Sequence, residues 1–249
     1  MRGDWFLRQL RLGLRELLLP QRCPACGGAS AEILELCACC ASGLEALRDV
    51  VRCRHCTAIL DAGEGCGDCL AFLGLLDRIQ SVYAYRGTGG ALVRRLKLQK
   101  DPAALGYLGR RLARAFLPRD PEYRRFQIVP VPLARRRRRE RGFNQAAELA
   151  RFLSLRLGIP SRDQALARPR HTLPQGSPEV EDRAENLREV FAVGRQARLL
   201  RGARILLIDD VVTSGATLRA CAEVLLQEAG VTSVEAITAC SARRRLSSS

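Results

Sequence analysis

Two adjacent carboxylates, Asp209 and Asp210, close an aliphatic run, Ile205-Leu206-Leu207-Ile208, and lead into Val211-Val212-Thr213-Ser214-Gly215-Ala216-Thr217. Ionised carboxylates accept hydrogen bonds without donating, which suits them to sugar hydroxyls or a hydrated Mg²⁺. Thr213, Ser214 and Thr217 add hydroxyl donors, and Gly215 lets the backbone approach a ligand closely. Such chemistry needs elements to hold it. A continuous apolar run bounded by turn residues predicts a buried parallel strand, and Leu218 to Leu226 carries helical apolar spacing. The small residues then lie between a strand end and a helix start, where unpaired N–H groups and the positive end of the helix dipole hold a phosphate. A phosphate cradle beside two acids describes a site for a ribose 5-phosphate. An ordinary strand–turn–helix explains a lone Asp-Asp pair but not the whole pattern. The dinucleotide and P-loop fingerprints are absent here.

A second strand end carries the opposite charge. Phe126 to Pro132 reads as a short strand ending in prolines, and Leu133-Ala134 leads into six arginines within Arg135 to Arg141. Open α/β sheets bind ligands beyond the carboxyl ends of their strands. Folded together, the basic run is expected to hold a pyrophosphate while the 213–217 turn holds the 5-phosphate. A solvated basic loop or a nucleic-acid patch are the competing readings. A linker and first strand within Leu76–Gly87, helices at 89–98, 103–117 and from Phe143, and a last strand at 231–240 complete an α/β pattern with a mainly parallel sheet. Arg168 to Leu187 is polar, proline-bearing and long for a connection, as lids are. Val190 to Val193 reads as a short strand closing it, and His171 within it as a bystander.

Nine of the eleven cysteines fall between residues 23 and 69. Cys23, Cys26, Cys37 and Cys40 form one C-x2-C…C-x2-C set, and Cys53, Cys56, Cys66 and Cys69 a second. Each pair is a thiolate hook that one turn aims at a single ion, and two pairs make a tetrahedral zinc site. Consecutive ribbons are the simplest arrangement; crossed pairing, Cys39 as an alternative ligand and His55 as a replacement stay open. No open ligand position is implied, so the zinc is expected to be structural and to supply the folding free energy of a segment poor in large apolar residues.

The chain has 249 residues and a net charge of +15, with Lys97 and Lys100 its only lysines. That balance favours polyanions: nucleic acid or a polyphosphate substrate. Trp5 to Leu19 alternates apolar and Arg positions at helical spacing, which is neither a signal core nor a bilayer span. Cysteine-rich sequence without a secretion signal points to metal binding before disulfides, and no stable membrane insertion is expected.

The 205–217 stretch resembles the PRPP-binding motif of type I phosphoribosyltransferases. With Val129-Pro130-Val131-Pro132-Leu133, Arg141-Gly142-Phe143-Asn144-Gln145, the Leu96-Lys97 pair and the double cysteine block, the chain resembles the ComF family (competence protein F, ComFC and GntX-like proteins). The resemblance spans about Leu18 to Ala239. It implies a double zinc ribbon at 21–75 and a type I phosphoribosyltransferase-like domain at 76–241 in a cytoplasmic protein; the amphipathic helix at 1–20 and the frayed tail at 242–249 are read from the residues themselves. It further implies PRPP with Mg²⁺ held by Asp209, Asp210, Thr213, Ser214, Gly215, Ala216 and Thr217, with Leu133, Arg141, Gly142 and Lys97 contributing. Asp209 and Asp210 would steady the charge developing at the sugar's first carbon. The family implies natural transformation, with single-stranded DNA and DNA-uptake proteins as partners. The alternative is a non-enzymatic nucleic-acid-binding factor using the fold as a scaffold or PRPP sensor. The chain departs from the family pattern at Leu98, where an aromatic is usual, at Lys100, where glycine is usual, and at Pro178, where leucine is usual.

Overall fold

The structure, a computed structural model, describes residues 22–44, 46, 51–53, 55–60, 66, 72, 74–116, 123–168 and 190–242. The predicted helix at 1–20, Cys69, the predicted lid Arg168–Leu187 beyond Arg168, with His171 and Pro178, and the tail beyond 242 lie outside the described residues.

In chain order the elements begin with α1 (Ala38–Ser42), β1 (Arg78–Ala84), α2 (Gly87–Gln99), α3 (Pro102–Phe116) and β2 (Phe126–Pro130). They continue with α4 (Arg135–Arg141), α5 (Gln145–Leu157), β3 (Leu166–Ala167), β4 (Ala192–Val193), β5 (Arg204–Val212), α6 (Ala216–Glu228) and β6 (Ser233–Ser241). Strands β1-β6-β5-β2 form one sheet in that order, and every pairing in it is parallel. The expected α/β fold is therefore observed. Strands β3 and β4 pair antiparallel beside it and bring together the two ends of the expected lid.

The unbroken apolar run of β5 follows from burial on both sheet faces. Ile205 and Leu207 pack with Val129, Ala236 and the α6 residues Leu218, Cys221, Ala222 and Leu225. Leu206 and Ile208 pack with Ile128, Ile237 and residues of α2, α3 and α5, among them Leu92, Leu96, Leu108, Leu112, Leu149 and Leu153. Each fully buried leucine or isoleucine contributes about 1.5–3 kcal/mol. Helix α2 approaches β1 closely, because a Cβ on Gly89 would lie 2.3 Å from the Ala84 carbonyl oxygen.

The two cysteine groups sit on opposite sides of this sheet. Cys23 and Ala25 join the layer of α2, α3 and α5, whereas Cys53, Cys56 and Ala58 join the layer of α6. Between them, Ala46 pairs antiparallel with Tyr83 on the outer edge of β1. The ribbon segment thus closes an edge that would otherwise present unpaired backbone groups.

The arginine run is helical rather than an extended loop. Helix α4 stops at Gly142, which takes φ +75°. Among the described residues no helix is long and apolar enough to cross a membrane.

Candidate functional site

Strands β2 and β5 run side by side, with Pro130 opposite Ile208, so their carboxyl ends open at the same place. The Val131 N–H donates to the Ile208 carbonyl at 2.9 Å, one step beyond the ladder. Asp209, Asp210, Leu133 and the start of α4 are thereby gathered at one sheet end. Pleating sends the two carboxylates to opposite faces. Asp210 continues the side of Leu206 and Ile208, toward α2. Asp209 continues the side of Ile205 and Leu207, toward α6.

Asp210 is 4% exposed. Lys97 Nζ, in the last turn of α2, lies 2.8 Å from its Oδ2. Apart from this ammonium, Oδ2 has no hydrogen-bond donor among the described residues. Lys97 also lies 5.9 Å from the centre of the Tyr85 ring. Asp209 accepts a hydrogen bond at Oδ1 from the Asp210 N–H at 2.8 Å. Burial, then the Asp210 charge beside it, pushes the Asp209 carboxyl well above the usual carboxylate range, while the Asp210 N–H and Lys97 pull weakly the other way. Burial and the Asp209 charge likewise push the Cys221 thiol up.

Gly215 caps α6 with φ +82°, a conformation that a side chain would strain. The Ala216 N–H reaches Ser214 Oγ at 3.4 Å, and Thr213 and Ser214 are exposed. The turn leading into α6 thus presents two exposed hydroxyl residues beside the acids. An enclosed carboxylate oxygen met by one ammonium and an exposed hydroxyl turn fit a Mg²⁺-bound ribose phosphate.

The Arg-Gly-Phe-Asn-Gln segment makes a corner with internal bonds. Asn144 Nδ2 donates to the Val131 carbonyl at 2.9 Å, and its Oδ1 caps α5 by accepting from the Ala146 N–H at 3.1 Å. Arg141 donates to Gln145 Oε1 at 3.3 Å. Asn144 therefore locks α5 to the end of β2, a role that its place in the sequence motif did not disclose. Arg135 to Arg139 are exposed on α4, and among the described residues only Arg136 forms an ion pair, with Glu140 at 2.9 Å. They form a basic rim at the same sheet end; among the described residues no contact brings them to the carboxylates.

The sulfurs of Cys23, Cys26, Cys37 and Cys40 lie within 4.8 Å of one another, as do those of Cys53, Cys56 and Cys66. The grouping is consecutive, not crossed. Cys39 and His55 belong to neither group; the His55 N–H instead donates to Cys53 Sγ at 3.4 Å. The two hooks have the same backbone. The Cys23 N–H donates to the Gly28 carbonyl and Gly27 N–H to that of Cys23; Cys53 with Ala58, and Thr57 with Cys53, repeat this. Burial opposes charge at Cys23, but N–H groups of Cys26, Cys37 and Ala25 outweigh it and draw the thiol down to about 6. Burial, then the neighbouring thiols, pushes Cys40 up. Four sulfurs this close fit one tetrahedral divalent cation, and the donor set fits zinc.

Comparison with known proteins agrees with both halves of this geometry. The Phosphoribosyl transferase domain family matches residues 141–248, and the Double zinc ribbon domain family matches residues 14–70. Competence protein F of Haemophilus influenzae is 32% identical over 191 residues, which is 74% of this chain and 81% of that protein. Competence protein ComFC of Bacillus subtilis is 30% identical over 164 residues, 66% of this chain and 64% of that protein. DNA utilization protein YhgH of Escherichia coli K12 is 31% identical over 169 residues, 65% and 71% respectively.

Proposed function

The chain belongs to the ComF family of competence and DNA-utilization proteins, and from that premise we propose that it binds PRPP with Mg²⁺ in the cytoplasm, in the service of DNA uptake. The observation that carries this is the Asp210 Oδ2, buried with the Lys97 ammonium at 2.8 Å as its one polar contact among the described residues, beside an open helix start. In this reading Asp209 and Asp210 accept from the ribose hydroxyls, and Thr213, Ser214, Gly215, Ala216 and Thr217 hold the 5-phosphate by N–H and hydroxyl groups. Leu133, Arg141 and Gly142 border the pyrophosphate, with Lys97 reaching it from α2. Mg²⁺, when bound, supplies positive charge to the pyrophosphate oxygens. The cysteine clusters hold zinc as structural ions, with Cys69 completing the second.

If transfer occurs, the bond from the sugar's first carbon to pyrophosphate breaks, pyrophosphate leaves with the bonding electrons, and an acceptor forms the new bond. Asp209 and Asp210 then act by charge, steadying the cation that develops on the sugar, and the site works mainly by positioning. Incubating the protein with isotopically labelled PRPP, candidate bases and single-stranded DNA tests this step. Pyrophosphate release that needs one of these acceptors supports a transferase; PRPP binding without release supports a sensor or scaffold.

The exposed arginines of α4 favour a second, compatible reading, in which single-stranded DNA lies along the basic rim. Phosphate contacts of this kind weaken steeply with salt. DNA binding that does not respond to salt, or is absent at low salt, removes this reading. Competition by PRPP would show that the two ligands share arginines.

A further inference from the structure

Three hydroxyls cross the apolar interior between the second cysteine hook and the sheet. Thr57 Oγ1 donates to Ser81 Oγ at 3.2 Å, Ser81 Oγ lies 2.6 Å from Thr238 Oγ1, and Thr238 Oγ1 donates to the Cys240 carbonyl at 3.1 Å. Their exposures are 1%, 3% and 0%. One order of protons satisfies every donor: Thr57 to Ser81, Ser81 to Thr238, Thr238 to the backbone. Buried hydroxyls stabilise nothing relative to methyl groups unless they are bonded, so a complete chain in an apolar setting is a specific device rather than filler.

Its two ends are informative. Thr57 follows the ligand Cys56, and its N–H closes the hook on the Cys53 carbonyl at 3.1 Å. It sits at φ +54°, where the first hook has Gly27 at φ +79°. A β-branched residue is strained there, and glycine would not be. At the other end, Ser81 pairs in register with Thr238, and Thr238 with Asp209. Positions opposite one another in a sheet share a face. The chain therefore stops one strand from Asp209, on the face its side chain takes. The first cluster instead meets α2 and α3, through Arg95 against Gly27 and Arg110 donating to the Leu34 carbonyl at 2.7 Å.

We propose that Thr57, Ser81 and Thr238 are positioning residues that couple the metal-loaded state of the Cys53–Cys56–Cys66 cluster to the placement of Asp209. Ribose-phosphate binding and metal retention at that cluster are then linked in both directions, since a coupling free energy is reciprocal. The inference rests on the PRPP reading of the site.

The test follows zinc release from the full-length protein to a colorimetric chelator, with and without PRPP and Mg²⁺, beside calorimetric titration of PRPP. In the wild type, PRPP slows one of two release phases by about fivefold or more and leaves the other unchanged. Thr57→Gly removes the hydroxyl while relieving the backbone, so it folds and keeps both zinc ions, yet loses that protection and binds PRPP more weakly. Ser81→Ala does the same from the other side of the bond. PRPP binding that slows both phases equally or neither overturns the coupling alone, as does full protection in Thr57→Gly. Absence of PRPP binding overturns the site reading and the coupling with it.

Discussion

Lys97 Nζ lies 2.8 Å from Asp210 Oδ2, so the last turn of α2 and the end of β5 share one buried ion pair. The ammonium is the one polar contact of that oxygen among the described residues. An arriving ribose hydroxyl or hydrated cation would take its place at the oxygen and free the ammonium for phosphate oxygens. Lys97→Met should therefore weaken PRPP binding and also destabilise the unliganded protein by about 1–3 kcal/mol, the cost of leaving a buried polar group uncompensated. Chemical denaturation at neutral pH measures the second effect. An unchanged stability would mean that the pair is incidental.

Asp209 carries the opposite lesson about stability. Burial and the Asp210 charge raise its carboxyl well above the usual range. The folded state therefore binds that proton more tightly than the unfolded chain does. Below the unfolded carboxylate value of about 3.9 there is no penalty; it grows as pH rises toward the folded value and persists above it. Asp209→Asn should raise the Tm at neutral pH, with the gain vanishing in acid, while PRPP binding is lost. A variant less stable than the wild type at neutral pH would contradict this sign.

Lys100 ends α2 at φ +48°, a conformation that costs a non-glycine residue about 1–2 kcal/mol. Its ammonium recovers part of that through Glu148 at 3.5 Å and the Phe143 ring at 5.5 Å. The ammonium is well exposed, so this recovery is small. Lys100→Gly, the residue usual in the family, should stabilise the protein by about 0.5–1 kcal/mol, read as a higher Tm. A lower Tm would show that the contacts to the Arg-Gly-Phe-Asn-Gln corner outweigh the backbone strain.

The cysteine grouping predicts which thiols count. Cys39 lies outside both groups, so Cys39→Ser should keep two zinc ions per chain. Cys56→Ser should leave one, and should destabilise the α6 side of the sheet where Cys53, Cys56 and Ala58 are packed. Metal analysis after gel filtration reads both. A Cys39→Ser protein with one zinc would reassign the first site.

The strand, turn and helix around Asp209 were legible because burial on both faces demands a continuous apolar run and the turn demands Gly215. The cysteine pairs were legible from spacing, but Cys39 was not: only the turn of α1 shows that Cys37 and Cys40 share a side that Cys39 leaves. The helicity of α4 was hidden because a run of arginines has no apolar period and like charges repel along it. The Lys97–Asp210 pair and the Thr57–Ser81–Thr238 chain join segments far apart in sequence. A hydroxyl inside a strand reads as an ordinary β-former until the register places its neighbours. Asn144 was singled out only by its motif; its bond to the Val131 carbonyl needed the fold.

The central claim is that this strand end holds PRPP through Asp209 and Asp210. Calorimetric titration of PRPP with Mg²⁺ into the wild type and into the Asp209→Asn, Asp210→Asn double variant tests it most directly. The account predicts saturable one-to-one binding to the wild type and its loss in the double variant, with folding and zinc content preserved. Equal affinity in the two proteins would contradict it.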